Sequence, residues 1–349
     1  MGNMKRIIYS LRPAVVAVAL AAGALAGSAI AADEIVLKNG SRILGTVTGV
    51  RDGVVTVDTE FAGTLKVKQD QVESLSSGEP IVLKLADGTV VEESSLRVEG
   101  ETLLLAADSA PVATYPLAEL AITNPQPWEL GQGYRWTGQV SLALEMQRGN
   151  TDTDELDYGI ESIWRSLEDR YTLRFDGEDD EANGIKNAEN WTALGKYDRF
   201  LEGPLYWGVN ASAEHDKFSD LDLRYYVGPY IGRQFHERPL LTLSAEVGGV
   251  YVDEDYIVAE DQDYLGMNWS VDATSNYISE DSQLYLKHTG IWNLDQTEDI
   301  ILNLTLGLSF PLLFNIDGAA EILLEYDSGL PPEVESVDQT YRFRVGYSW

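Results

Sequence analysis

Three histidines are the first residues to weigh in this 349-residue chain, because nucleophilic hydrolysis needs an imidazole within reach of a hydroxyl or thiol. His215 precedes Asp216-Lys217, His236 precedes Glu237-Arg238, and His288 precedes Thr289-Gly290. None of these settings is a recognisable lipase or protease motif. The chain has no cysteine, which removes disulfide scaffolds, thiolate zinc sites, iron–sulfur ligation and cysteine nucleophiles. The sequence therefore argues against an enzyme and calls for no cofactor.

Carboxylates are the abundant reactive group, with 57 Asp+Glu against 25 Lys+Arg and a net charge of −32. So acidic a chain, with no basic run, would be repelled by phosphate backbones, and nucleic acid is excluded as a partner. The acids come in clusters: Asp152, Asp154 and Glu155; Glu178 to Glu181; Asp253 to Asp255; Glu260, Asp261 and Asp263; Asp295, Glu298 and Asp299; Glu333, Glu335 and Asp338. Hard divalent cations prefer such oxygens, and Asp179, Asp180, Asp253, Glu254, Asp255 and Asp261 are weak candidates for holding them. No cluster has EF-hand spacing. A solvated rim that concentrates cations explains them better than a specific metal site.

The elements that must position these acids are long alternating strands. From Arg135 to Trp349, apolar and polar residues alternate, as in Trp136, Gly138, Val140, Leu142 and Leu144 against Thr137, Gln139, Ser141, Ala143 and Glu145. Twelve strands can be placed, the ten internal ones near 154–165, 169–177, 189–199, 204–215, 220–234, 239–252, 262–274, 282–292, 298–310 and 318–327. An even count of strands, several above ten residues, predicts a twelve-stranded antiparallel transmembrane β-barrel. The expected outer connections are 149–153, 178–188, 216–219, 253–261, 293–297 and 328–337, which hold the acidic clusters. Trp136, Trp164, Trp191, Trp207, Trp269, Trp292 and Trp349 fall mostly near strand ends, as interfacial girdles require. Parity sends Glu145, Glu161, Arg165, Arg174, Lys196, Arg224, Glu246, Lys287, Glu321, Glu325, Arg342 and Arg344 into the lumen. Twelve strands lie between a side-chain-filled barrel and an open one, so these mixed charges either plug the lumen or line a narrow pore.

The first 123 residues have another grammar. Lys5, Arg6 and Arg12, an apolar run from Pro13 to Ala26, and the small residues at Ala29-Ile30-Ala31 predict a cleaved signal peptide over 1–31. Ile35-Val36-Leu37-Lys38 before Asn39-Gly40 recurs 46 residues later as Ile81-Val82-Leu83-Lys84 before Asp87-Gly88. Val50 to Val55, around Asp52-Gly53, is echoed 47 residues on around Gly100. The agreement predicts two small SH3-like β repeats, about 33–78 and 79–123, whose Asn-Gly and Asp-Gly pairs make hairpin turns. Thr123-Asn124-Pro125-Gln126-Pro127 opens a linker over 124–134.

The opening repeat, the Leu44-Gly45-Thr46-Val47 segment, the Gly149-Asn150-Thr151 turn and the aromatic carboxyl terminus resemble the YdiY-like salt-induced outer-membrane proteins, a family of unknown function. That resemblance covers 135–349 and implies an outer-membrane barrel with some link to salt or osmotic stress; it supplies no catalytic residues. The alternation of Tyr341, Phe343, Val345, Tyr347 and Trp349 is also similar to the terminal signal read by the barrel assembly machinery. The expected partners are outer-membrane lipid and lipopolysaccharide, that machinery, and a periplasmic protein or polymer for the repeats. Two functions follow: a narrow, cation-leaning channel in the outer membrane, or a non-conducting envelope protein whose periplasmic repeats bind a partner.

Overall fold

A computed structural model of the chain describes residues 33–51, 53–77, 81–107, 110–147, 153–238, 240–279, 281–329 and 336–349. The predicted signal peptide, the Gly149-Asn150-Thr151 motif, Asp152, Glu333 and Glu335 lie outside these residues. The chain divides into two compact units, 1–124 and 125–349.

The first unit is all strand: β1 (Asp33–Leu37), β2 (Arg42–Arg51), β3 (Val54–Thr59), β4 (Gly63–Lys68), β5 (Val72–Ser76), β6 (Ile81–Leu85), β7 (Val90–Glu99), β8 (Thr102–Ala107), β9 (Ala110–Pro116) and β10 (Leu120–Thr123). Antiparallel pairing runs β1-β5-β7-β6-β10-β2, and β2 returns to β1, so six strands close a ring with β3-β4 and β8-β9 as side hairpins. The two halves are arranged alike. From Asp33 to Ile81, Arg42 to Val90, Val54 to Thr102 and Val72 to Leu120 the offset is 48 residues each time. The sequence offset of 46 at the first motif is thus two residues short. A slip of two keeps every side chain on its face, so alternation cannot detect it. Matching backbone bonds settle the register: Leu37 N–H to Ser41 O at 2.8 Å and Leu85 N–H to Thr89 O at 2.9 Å. Gly40 and Gly88 take φ of 83° and 88° at these turns, a conformation costly for other residues. Each half gives β5 or β10 to the long strand of the other. Ile35, Val50, Val57, Leu75, Leu83, Leu96, Leu103 and Leu105 form the shared apolar core.

The second unit opens with a 3-10 turn at Pro127–Leu130, where Gln126 and Glu129 cap each other reciprocally. Twelve strands follow: β11 (Arg135–Gln147), β12 (Thr153–Arg165), β13 (Asp169–Ala182), β14 (Ile185–Phe200), β15 (Leu205–Asp216), β16 (Leu221–Arg238), β17 (Leu241–Tyr256), β18 (Gln262–Ser279), β19 (Ser282–Asn293), β20 (Ile300–Leu313), β21 (Ile316–Asp327) and β22 (Val337–Ser348). Each pairs antiparallel with its neighbours, and β22 closes on β11 through Val140 opposite Tyr347 and Leu142 opposite Val345. The fold is the twelve-stranded antiparallel barrel that the alternation predicts. Two of the expected outer connections differ most, and residues 253–256 of one belong to β17. The expected loop 178–188 is strand on both sides, turning at Asn183-Gly184 with φ of 52° and 77°. Both central residues at positive φ are what a two-residue hairpin demands.

Side chains sort cleanly by face. Val140, Leu142, Leu173, Trp207, Ile231, Val247, Leu265 and Phe343 are all exposed on the outer surface, while Ser141, Asp198, Asn210, Arg224, Glu246, Glu254 and Glu321 are buried within. The outer face also carries aromatic chains at one end, Tyr134–Tyr171–Tyr197–Trp207 and Trp164–Trp136–Trp349–Tyr347.

Candidate functional site in the barrel lumen

Inward parity delivers a hydrogen-bonded charge network and, beside it, a small apolar cluster of Val250, Val252, Tyr264 and Ile291. Toward the end of the 166–168 turn, Arg170 Nε meets Asp198 Oδ2 at 2.6 Å, and the Tyr230 hydroxyl donates to the same carboxylate. Beside them Glu246 accepts from Lys196 Nζ at 2.6 Å, from the Tyr206 hydroxyl at 2.9 Å and from Ser270 Oγ at 2.9 Å. Tyr206 lies against Gly232 and Tyr230 against Gly208, where a Cβ would stand 2.2 Å and 2.5 Å from the rings. The glycines are what let both rings lie flat on the sheet.

Halfway along, Glu161 accepts from Arg174 and from Lys287, the latter at 3.4 Å. Glu321 holds Arg342 at 2.6 Å, Arg344 at 2.5 Å and the Tyr285 hydroxyl. Arg342 also reaches Asp157 at 3.1 Å, and Arg344 donates to Ser141 Oγ at 3.1 Å. At the opposite end Arg224 binds Glu254 and Asp327, each at 2.6 Å, with Glu214 at 3.6 Å. Glu254 further accepts from Tyr256 at 2.7 Å, Gln262 at 2.6 Å and Tyr264 at 3.1 Å.

Two of these contacts fix the cross-section. Glu161 on β12 and Lys287 on β19 lie five strands apart round the ring, as do Arg224 on β16 and Asp327 on β21. Twelve strands about 4.8 Å apart and tilted about 40° would close a circle roughly 24 Å across. An extended lysine and glutamate joined end to end span only about 14 Å between Cα atoms. The barrel is therefore flattened, with β12–β14 facing β17–β19 closely enough for side chains to bridge the lumen.

The family described as protein of unknown function DUF481 matches residues 140–349, nearly the whole barrel. The chain belongs to that family. No curated protein matches it. In structure it is similar to the translocator domain of the autotransporter NalP from Neisseria meningitidis, at 10% identity over 62% of this chain and 88% of that one, with a TM-score of 0.34. It is also similar to the KdgM porin in complex with disordered oligogalacturonate, at 10% identity, 62% and 98% coverage and a TM-score of 0.32. The Pseudomonas putida toluene transporter TodX is a third, at 6% identity, 62% and 88% coverage and a TM-score of 0.30.

In this DUF481 barrel the predicted lumen residues fall into groups. Glu161, Arg174 and Lys287 form one, Lys196 and Glu246 another, Glu321, Arg342 and Arg344 a third, and Arg224 is the hub of the fourth. Glu325 makes no ion pair among the described residues, and the Glu145 side chain lies outside them. Arg165 stacks on Phe200. Sequence reasoning missed Asp157, Asp198, Glu214, Glu254 and Asp327. Asp157, Asp198 and Asp327 lay on strands already drawn and shared inward parity with predicted residues, and Glu214 lay on a drawn strand opposite the parity of its apolar face, so extending the count would have found them. Glu254 had been placed in a loop.

The six rim candidates do not converge. Glu254 is 2% exposed inside the barrel. Asp180 accepts from the Leu156 N–H at 3.2 Å, Asp179 pairs with Lys186 at 2.6 Å on the outer face, and Asp253 accepts from Tyr251 at 3.3 Å. Asp261 accepts from the Tyr256 N–H at 3.0 Å, and Asp255 neighbours it at the strand end. Among the described residues no three carboxylates or imidazoles are placed to hold a metal ion. Two of the three histidines also have ring partners. His215 bonds Asp222 O at 2.6 Å, and His288 accepts from Trp269 Nε1 at 3.1 Å while its Nδ1 lies 2.9 Å from Asn303 O. An indole only donates, so His288 carries its proton on Nδ1. Among the described residues none of the three rings bonds a hydroxyl.

Proposed function

We propose that the chain is an outer-membrane β-barrel whose lumen is closed at rest by its own charges, with the repeat unit in the periplasm. The outer face supports the membrane assignment. An apolar outer face with aromatic chains at one end suits lipid, and a monomer in water rarely exposes so much. Lipid and lipopolysaccharide are then the solvent of that face. Tyr341, Phe343, Val345 and Tyr347 all point into it, available to the assembly machinery before insertion.

The bridges across the lumen carry the closed reading. Glu161–Lys287 and Arg224–Asp327 tie opposite walls, and water-filled pores leave such walls apart. This favours a non-conducting envelope protein whose repeats engage a periplasmic protein or polymer over a narrow cation-leaning channel. A role in salt or osmotic adaptation rests on the family resemblance alone.

Planar-bilayer recording of the purified full chain decides between them. The wild type should insert and stay silent, and Glu161→Gln combined with Lys287→Met should produce discrete steps. Steady cation-leaning conductance from the wild type would return the channel reading, and its selectivity should then fall when Asp179 and Asp253 are neutralised.

A further inference from the structure

Among the predicted lumen cations, Arg165 alone makes no ion pair within the described residues. Its guanidinium lies 3.5 Å from the centre of the Phe200 ring, and its Nη1 is buried without a hydrogen-bond partner. The register sets Arg135 directly opposite it on one side and Arg170 on the other. Residues so paired on one face have Cβ atoms about 5 Å apart, so three arginines stand in a row across β11, β12 and β13. Asp198 neutralises Arg170 at 2.6 Å but also accepts from Tyr230. Arg135 is exposed and makes no ion pair among the described residues.

Such a row is costly as it stands. Like charges directly opposite destabilise a sheet, and a buried donor without an acceptor adds its desolvation penalty. The nearby carboxylates do not answer it: Asp169 is held by Arg199 at 3.0 Å and Tyr197 at 2.7 Å, and Glu237 is exposed and unpaired among the described residues. Among the described residues no carboxylate makes an ion pair with Arg165.

We propose that Arg135, Arg165 and Arg170 form a binding site for an oxyanion, a phosphate or carboxylate group entering at this end of the barrel. Guanidinium forks match the oxygens of both groups, and stacking on Phe200 holds the Arg165 fork ready. A free anion and a lipid headgroup offer the same chemistry. The row lies on the face opposite Asp169, Tyr171 and Tyr197, toward the interior, so the free anion is the occupant.

The test titrates inorganic phosphate into the full chain in non-ionic detergent, against chloride at matched pH and ionic strength. Thermal unfolding and phosphorus NMR line width are the readouts. Phosphate should raise the unfolding midpoint saturably and broaden its own resonance. Arg165→Gln and Arg135→Gln should each weaken binding at least tenfold, whereas Arg199→Gln, on the other face, should leave it unchanged. Arg165→Gln should also raise the midpoint without phosphate, because it relieves repulsion that a purely structural arginine would not exert. Arg135→Gln changes an exposed side chain and keeps the test open should Arg165→Gln fail to fold. Binding that is absent, that survives both substitutions, or that needs anionic lipid would overturn the proposal.

Discussion

The two units use the same alternating strands and turn them opposite ways. In the repeat unit Ile35, Leu83, Leu103 and Leu105 are 0% exposed and lysines such as Lys66 and Lys68 face out. In the barrel Ile231 is 64% exposed, and Arg224 and Glu254 are inside. A period of two says only that a strand has two unlike faces; the surrounding solvent decides which is buried. Water drives apolar side chains inward in the first unit. The barrel keeps its polar groups inward, where they must satisfy one another.

The largest effect should come from breaking that internal satisfaction. Replacing Arg224 with Met strands Glu254, Asp327 and Glu214 around one lost cation, and removing one partner from a buried ion network costs about 3–5 kcal/mol. Urea unfolding of the micelle-bound barrel, followed by tryptophan fluorescence, should show the midpoint fall. An unchanged midpoint would mean that the carboxylates find water and that the lumen is wet at this level.

Apolar truncation sharpens the contrast next. Leu103→Ala in the repeat core should cost about 2–5 kcal/mol through lost burial and a residual cavity. Ile231→Ala on the barrel wall leaves no cavity and should cost far less, but Ile231→Arg should cost about 2–4 kcal/mol if that position sits in the bilayer midplane. Far-UV circular dichroism during unfolding measures both units. Equal tolerance of Arg and Ala at Ile231 would argue that water, not lipid, covers this face.

Much of this architecture is legible in the sequence, and the failures have physical causes. Strand number and order follow from alternation, whereas the choice of which face turns inward does not, because a period of two marks two unlike faces without choosing between them. The identity of partners across the lumen is not legible, since Glu161–Lys287 and Arg224–Asp327 depend on how far the ring flattens, a property of the closed barrel. Charge density made Glu178 to Glu181 resemble a loop. The strand nonetheless continues to Ala182, with Glu178 opposite Asp157 and Asp180 opposite Glu155 on the inward face, and the Asn183-Gly184 pair could have signalled the hairpin. In the repeat unit the turns were readable, but the offset slipped by two because the pleat repeats every two residues.

Those matched turns supply the smallest and cleanest comparison. Asn39 Oδ1 accepts the Ser41 N–H at 2.9 Å, and Asp87 Oδ1 accepts the Thr89 N–H at 2.8 Å, so one geometry is held by a neutral amide and by a carboxylate. The Thr89 N–H and hydroxyl favour the ionised form and hold the Asp87 carboxyl below its usual value. A depressed carboxyl contributes stability that is present above the unfolded pKa of about 3.9 and disappears as pH falls through the folded value. Asp87 is fully exposed, so the effect is confined to its own turn. Amide exchange at Thr89 should therefore accelerate relative to Ser41 as pH falls below about 4, after correction for intrinsic rates. Asp87→Asn should leave protection at neutral pH unchanged and remove that acid-dependent difference, making the second turn behave as the first does. Persistence of the difference in Asp87→Asn would assign the acid sensitivity to another group and leave the two turns unlike for a reason outside this hydrogen bond.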